Sequence, residues 1–231
     1  MKSLTCVEIV GPPGSGKTTL ARELDHRHHE LHLRQPPDWH RLKDFPFFVK
    51  NGLSLAPDFA ALSFSRQGRR LQPVEISDLI FLQGWHRRLA LEGTGGDIII
   101  LDQGPVFMLA ELIFFRETQI PKRLSSARWK KRLEKWGHLL ERVIWLDASD
   151  DILAQRINAR EKGHIIKRAS LFRTRDFLGK SRTSLNQSMA MLRVGDRSPA
   201  ALNFDTDRQS LQEIADRVYD SLISTRKSNA R

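Results

Sequence analysis

Gly11-Pro12-Pro13-Gly14-Ser15-Gly16-Lys17-Thr18 lies between an apolar run, Leu4 to Val10, and a helix-like segment, Thr18 to His28. It satisfies G-x-x-x-x-G-K-[S/T] at every constrained position, in the strand–loop–helix setting that the pattern requires. The residue types follow from what such a loop must hold. Gly11, Gly14 and Gly16 allow backbone shapes that side chains forbid. Successive N–H groups then turn inward onto phosphate oxygens, with the positive end of the next helix behind them. Lys17 sets an ammonium on the β- and γ-phosphates, and Thr18 offers a hydroxyl to Mg²⁺. The expected nucleotide contacts are Gly11, Pro12, Pro13, Gly14, Ser15, Gly16, Lys17, Thr18 and Thr19, and the expected cofactors are ATP and Mg²⁺. A plain Gly-Pro turn entering a helix is the bland alternative, and it explains neither Lys17 nor Thr18.

Outward from this loop, Asp97 to Leu101, Val143 to Leu146 and Ala201 to Phe204 are short continuous apolar runs. That is the pattern of strands buried on both faces. A fifth strand is expected near Glu30 to Arg34. Helical segments separate the runs, which predicts right-handed crossovers and an α/β fold of three layers. Its central sheet should be mostly parallel, five-stranded and flanked by helices. Val74 to Leu91 reads as a helix. The stretch Trp39 to Gly93, punctuated by Pro46, Pro57 and Pro73, reads as irregularly helical. Lys122 to Leu140 is a basic insertion whose Trp129, Leu133 and Trp136 recur at helical spacing, a core seam. The whole chain, 1–231, is expected to form a single domain. Within it, 35–93 is the acceptor-side helical region and 160–192 a basic, lid-like segment.

Ile98-Ile99-Ile100-Leu101-Asp102 is an apolar strand ending in a carboxylate. In open α/β sheets ligands bind at the carboxyl ends of strands. Asp102 is therefore the expected second anchor, holding Mg²⁺ through water or accepting the proton of an attacking hydroxyl. Asp147 competes for the role, but Ala-Ser-Asp-Asp follows it and reads as a helix start. In the helix beginning near Ser149, Ile152, Leu153 and Ile157 define the apolar stripe, and Arg156 and Arg160 fall inside it. Arginine on an inward stripe points to an anionic ligand. Snorkelling at a helix end is the alternative. Lys162, His164, Lys167, Arg168, Arg173, Arg175, Lys180 and Arg182 follow, a supply of cations for closing over phosphates.

GPPGSGKT at the first strand, ILDQGP at residues 100–105 and Arg156-Ile-Asn-Ala-Arg160 before a basic segment stand in a recognisable order. Together they resemble the nucleoside monophosphate kinase branch of P-loop kinases, which includes adenylate and thymidylate kinases. The resemblance implies the P-loop NTPase fold with helical lid and substrate-binding insertions, and ATP-dependent phosphotransferase activity. It places Arg156 near the adenine and Arg160 at the phosphates, and it sets the loop near Asp205 to Asp207 beside the base. Lys17, Asp102 and Arg160 are then the expected catalytic residues, Arg156 a further nucleotide contact, and Thr18 and Asp102 the metal ligands. One departure stands out. Where these kinases carry an arginine shortly after the Asp, this chain has Gln103 and Val106, so the clamp for an acceptor phosphate is missing there. Either Arg87 or Arg88 on the preceding helix substitutes, with Gln83 placed to contact a base or sugar, or the acceptor carries no phosphate at all. Acceptor choice should reside between Leu31 and Arg70, around Asp38, Trp39, His40, Arg41 and Asp44.

Lys plus Arg number 38 against 27 Asp plus Glu, a net charge of +11, which favours anionic partners. The leading reading is transfer of the ATP γ-phosphoryl group to a small acceptor: a nucleoside, nucleotide or related metabolite. Nucleic acid is a less favoured partner, and a kinase acting on nucleic-acid 5′-hydroxyl ends is the alternative that the charge suggests. A P-loop ATPase acting through a protein partner is another. N-K-x-D is absent, which speaks against a GTP switch. The single cysteine, Cys6, lies in the first apolar run and reads as core. No apolar run approaches membrane-span length and the start lacks a secretory apolar region, so the expected compartment is the cytoplasm. Nothing in the sequence sets the oligomeric state. His26, His28, His29 and His32 decorate a helix end, with a metal site the minor alternative.

Overall fold

The computed structural model describes residues 5–63, 71–92, 97–114, 124, 126–161, 163–193 and 199–229. Five strands form one sheet: β1 (Thr5–Val10), β2 (Leu31–Arg34), β3 (Ile98–Leu101), β4 (Leu140–Asp147) and β5 (Ala200–Asp205). Their order is β2-β3-β1-β4-β5, and every neighbouring pair is parallel. The sheet is thus wholly parallel, sharper than the mostly parallel expectation. After β1 the chain runs to one side of the sheet for β2 and β3, then crosses to the other for β4 and β5. A crevice opens at such a reversal, outside the carboxyl ends of the strands.

Alternation along β1 assigns the two faces. Val7 and Ile9 face a core built with Leu20 and Leu24 of α1 (Lys17–Arg27) and Ile214, Val218 and Leu222 of α8 (Leu211–Asn229). Cys6 and Val10 face the opposite core. There lie Leu82, Trp85 and Leu89 of α3 (Pro73–Glu92), Val106 and Leu109 of α4 (Pro105–Phe114), and Trp129, Leu133 and Trp136 of α5 (Ala127–Leu139). The tryptophan seam is therefore interior, as its spacing predicts. Lys122 and Arg123 lie outside the described residues.

The acceptor-side region holds a short 3₁₀ turn (Leu42–Asp44), then α2 (Phe45–Ser63), which carries Pro57 within it, then α3. Past β4, α6 (Asp150–Ala159) begins with Asp150 and Asp151 in its first turn, where the helix dipole favours negative charge. A loop, 160–170, then leads into α7 (Leu171–Met191). Leu178 and Leu185 are buried and α7 packs along α4 and α6, so the second half of segment 160–192 belongs to the body of the fold. Lys162 lies outside the described residues. No described helix is long and apolar enough to cross a membrane.

Candidate nucleotide-binding site

The loop after β1 turns through two positions that only glycine can fill. Gly11 has φ 150° and Gly14 has φ 91°. A Cβ on Gly11 would stand 2.0 Å from the Leu146 carbonyl oxygen, and one on Gly14 would stand 3.0 Å from that of Leu153. The cradle is thus wedged between the end of β4 and the first turns of α6. The Ser15 Oγ is buried and has no hydrogen-bond partner among the described residues. Such a group is costly unless a ligand or water meets it.

Lys17 folds back over the loop, its Nζ donating to the carbonyls of Gly11 at 2.8 Å and Pro12 at 3.1 Å. Burial pushes its pKa down to about 8, while the Asp102 carboxylate pulls the other way. The ammonium is poorly solvated and held on weak carbonyl acceptors, so phosphate oxygens are the better partners. At the next residue, the Thr18 Oγ1 donates to the Asp102 Oδ2 at 2.9 Å. β1 and β3 are in register with Glu8 opposite Leu101, which brings Asp102 level with the start of the loop. A hydroxyl and a carboxylate oxygen side by side are hard oxygen donors of the kind that suit Mg²⁺. Among the described residues no group of three or more His, Cys, Asp or Glu gathers in a metal-ligating cluster, the histidines near α1 included.

Arg156 reaches across to the turn after β5. Its Nη1 donates to the Thr206 Oγ1 at 2.8 Å and its Nη2 to the Thr206 carbonyl at 2.9 Å. Arg156 and Arg160 both line a cavity of about 320 Å³, with Thr19 and Gln209, floored by Leu20, Leu211 and Ile214. An apolar floor under a polar rim, beside the cradle, suits a flat base. Asp147 is occupied differently: Arg182 grips both its oxygens, at 2.8 and 3.0 Å, and also reaches Asp150 at 2.7 Å. Of the other basic-segment cations, Arg175 pairs with Asp151 at 3.1 Å and Lys180 with Asp176 at 2.7 Å. Arg88 is committed to buried Asp44 at 2.6 Å, and Arg87 on the same helix is exposed. The Gln83 Oε1 is buried without a partner.

On the other side of Lys17 lies a second, smaller cavity of about 130 Å³, walled by Pro13, Phe107, Glu111, Phe114, His164 and Phe177. Sequence reasoning missed Glu111 as a site residue, although it is the one charge in the apolar run from Val106. It also missed Glu8, a carboxylate inside β1 whose oxygens accept from the amides of Gly104, Val106 and Phe107 at 2.8 to 3.0 Å. Burial pushes Glu8 up to about 8 against the pull of those amides. A charged letter in TCVEIV was the available signal.

Sheet order and cradle define a P-loop nucleotide-binding fold. Residues 7–175 match the AAA domain family, and the chain belongs to that family. Among solved structures the fold is similar to the thymidylate kinase of Candida albicans, at 14% identity, covering 97% of this chain and 93% of that one, with a TM-score of 0.58. It is also similar to the YorR protein of Bacillus subtilis, solved with phosphorylated GDP, at 14% identity, 94% and 95% coverage and a TM-score of 0.52. The deoxyadenosine kinase of M. mycoides matches at 13% identity, 94% and 99% coverage and a TM-score of 0.50. At these identities the likeness is one of fold. No curated protein sequence matches the chain.

Proposed function

We propose that this chain is a Mg²⁺-dependent kinase that transfers the γ-phosphoryl group of ATP to a small acceptor of the nucleoside, nucleotide or related metabolite class. The observation that carries the reading is the Thr18–Asp102 hydrogen bond beside the buried Lys17. The base of ATP lies in the cavity rimmed by Arg156, Thr206 and Gln209, and its phosphates run along the Gly11–Thr19 loop. Lys17 exchanges the Gly11 and Pro12 carbonyls for β- and γ-phosphate oxygens. Thr18 and Asp102 would hold Mg²⁺, Asp102 through water, and the ion would supply positive charge to the phosphates. Arg160, at the end of α6, adds charge stabilisation at the migrating group. An acceptor oxygen attacks the γ-phosphorus and forms the new P–O bond. The bond to the β–γ bridging oxygen breaks and ADP leaves. The acceptor's proton goes to Asp102 or to solvent.

Lys17→Ala tests the reading directly. Loss of ATP binding and of acceptor-dependent ADP release is expected, by at least two orders of magnitude in turnover (~10²-fold, as for removal of a transition-state charge partner). Unchanged ATP binding and turnover in that variant would refute it. ADP release from Mg-ATP that no acceptor accelerates would instead favour an ATPase acting through a protein partner.

A further inference from the structure

The small cavity beside Lys17 speaks to the acceptor, on the assumption that the kinase reading above is right. It touches Gly11, Pro13 and Lys17, whereas the base cavity is lined by Gly14, Ser15, Gly16 and Thr19, so on the kinase reading this separate space beside Lys17 is the one left for the acceptor. Its chemistry is unusual for a phosphate-handling site. Among its lining residues, Lys17 is the sole fixed cation, and Lys17 is committed to the donor. His164 also lines it, but burial and the nearby Arg160 and Lys17 charges hold its pKa below the ordinary histidine value. The remaining charged group is an acid, Glu111. Its carboxylate has no hydrogen-bond or ion-pair partner among the described residues, and burial raises its pKa while Lys17 lowers it. Behind it on α3 stands Asp78, likewise without such a partner among the described residues, and pushed up to about 7 by burial and then by the Glu111 charge.

The walls are aromatic. Phe114 and Phe177 meet with ring centroids 4.7 Å apart and planes at 60°, and Phe107 closes the side toward β3. At about 130 Å³ the space is close to the ~150 Å³ that accommodates one benzene-sized ring in a protein interior. It admits the reacting end of a substrate rather than an entire nucleotide. Among the residues that line this space, a phosphomonoester would meet the Glu111 carboxylate and no fixed cation besides Lys17; the arginine position after Asp102 holds Gln103, and Arg88 is tied to Asp44.

We propose that the phosphoryl acceptor is an unphosphorylated, neutral, hydroxyl-bearing ring compound, such as a nucleoside sugar, whose hydroxyl groups donate to Glu111 within the cavity walled by Phe107, Phe114 and Phe177. A hydroxyl pays little to approach a carboxylate and gains a charge-assisted hydrogen bond there. A phosphate dianion loses its hydration and gains repulsion. Such a substrate supplies the partner that Glu111 lacks among the described residues.

The experiment is acceptor-dependent ADP release from Mg-ATP with the full chain, using matched pairs: thymidine and thymidine monophosphate, deoxyadenosine and its monophosphate, guanosine and its monophosphate, ribose and ribose 5-phosphate. The unphosphorylated members should be the substrates, with kcat/KM at least about tenfold above their partners, the worth of one charge-assisted hydrogen bond. Preference for the phosphorylated members overturns the proposal and leaves the kinase reading intact. Lys17-dependent ATP hydrolysis with no response to any member removes the kinase reading, and the proposal with it. Glu111→Gln should raise the acceptor KM about tenfold while the ATP Kd, read by nucleotide titration on the same sample, stays put. Glu111→Asp should recover part of the loss. A Glu111→Gln protein that binds ATP normally and keeps the wild-type acceptor KM also overturns the proposal.

Discussion

At the scale of single residues, charge placement separates the two sides of the site. Donor-side groups are paired already: Lys17 with loop carbonyls, Thr18 with Asp102, Arg156 with Thr206. Glu111 and Asp78 have no such partner among the described residues. His86 shows the same contrast away from the site. It is 7% exposed, neither ring nitrogen has a hydrogen-bond partner, and it packs edge-on against Trp136 with centroids 5.6 Å apart. Burial, then the Lys135 and Arg87 charges, push its pKa from 6.5 down to about 4. The unfolded chain therefore binds a proton more readily than the native one between those values. Stability from keeping His86 neutral is complete above pH 6.5 and is lost as pH falls through about 4. His86→Phe keeps the aromatic contact and removes the titration. The gap in melting temperature, variant minus wild type, should widen as pH drops from 6.5 toward 4. Melting temperatures that fall in parallel would show that His86 carries no such linkage.

At the scale of elements, the junction of β1, β3 and α4 positions Asp102 beside the cradle. The three amides that Glu8 accepts belong to residues at the start of α4, groups that a helix leaves unpaired. The carboxylate thus ties the start of α4 to the strand that carries the cradle, and Asp102 sits between them. Above about pH 8, where the Glu8 carboxyl is ionised, Glu8→Gln places an NH₂ group against at least one of those N–H donors. A loss of about 1–3 kcal/mol in urea unfolding is expected, the cost of a buried unsatisfied donor. A variant as stable as wild type would show that the amides find other partners. Element reading explains what was legible. The loop, β1 and β3 announce themselves because both sheet faces are covered there and the apolar runs are continuous. β4 is buried along most of its apolar run, whereas β5 is an edge strand of which Phe204 alone is buried, so the expectation of burial on both faces does not hold for it. β2 is faint because it is an edge strand of four residues whose burial is partial after Leu31. Residues 39–63 read as irregular because Pro46 and Pro57 mimic breaks, yet Pro46 fits the first turn of α2, and Pro57 is absorbed within the helix. Glu8 and Glu111 escaped for a different reason. Their roles arise from contacts across sheet and helix that no local spacing encodes.

At the scale of the whole molecule, the two cavities flank one cradle, and the elements bounding them come from every part of the chain: α1, α4, α6, α7 and the turn before α8. A nucleotide seated on the cradle therefore bridges elements far apart in sequence, and its binding energy is shared with folding. A ligand that binds only the native state stabilises it by RT ln(1 + [L]/Kd), about 2.7 kcal/mol at a hundredfold excess over Kd. For a chain of 150–250 residues that corresponds to roughly 5–10 °C in melting temperature. Mg-ATP should raise the melting temperature by that order, and EDTA added with ATP should reduce the rise, because the Thr18–Asp102 oxygens then lack the ion that joins them to the phosphates. Lys17→Ala should show little rise under either condition. The +11 charge provides the control: nonspecific attraction of ATP to a basic surface fades with added salt, whereas phosphate held by buried amides and an ammonium is screened far less. A rise that persists at high salt and vanishes with Lys17→Ala assigns the stabilisation to the cradle. A rise that salt abolishes, or that Lys17→Ala retains, would place the nucleotide on the surface and undercut the donor site.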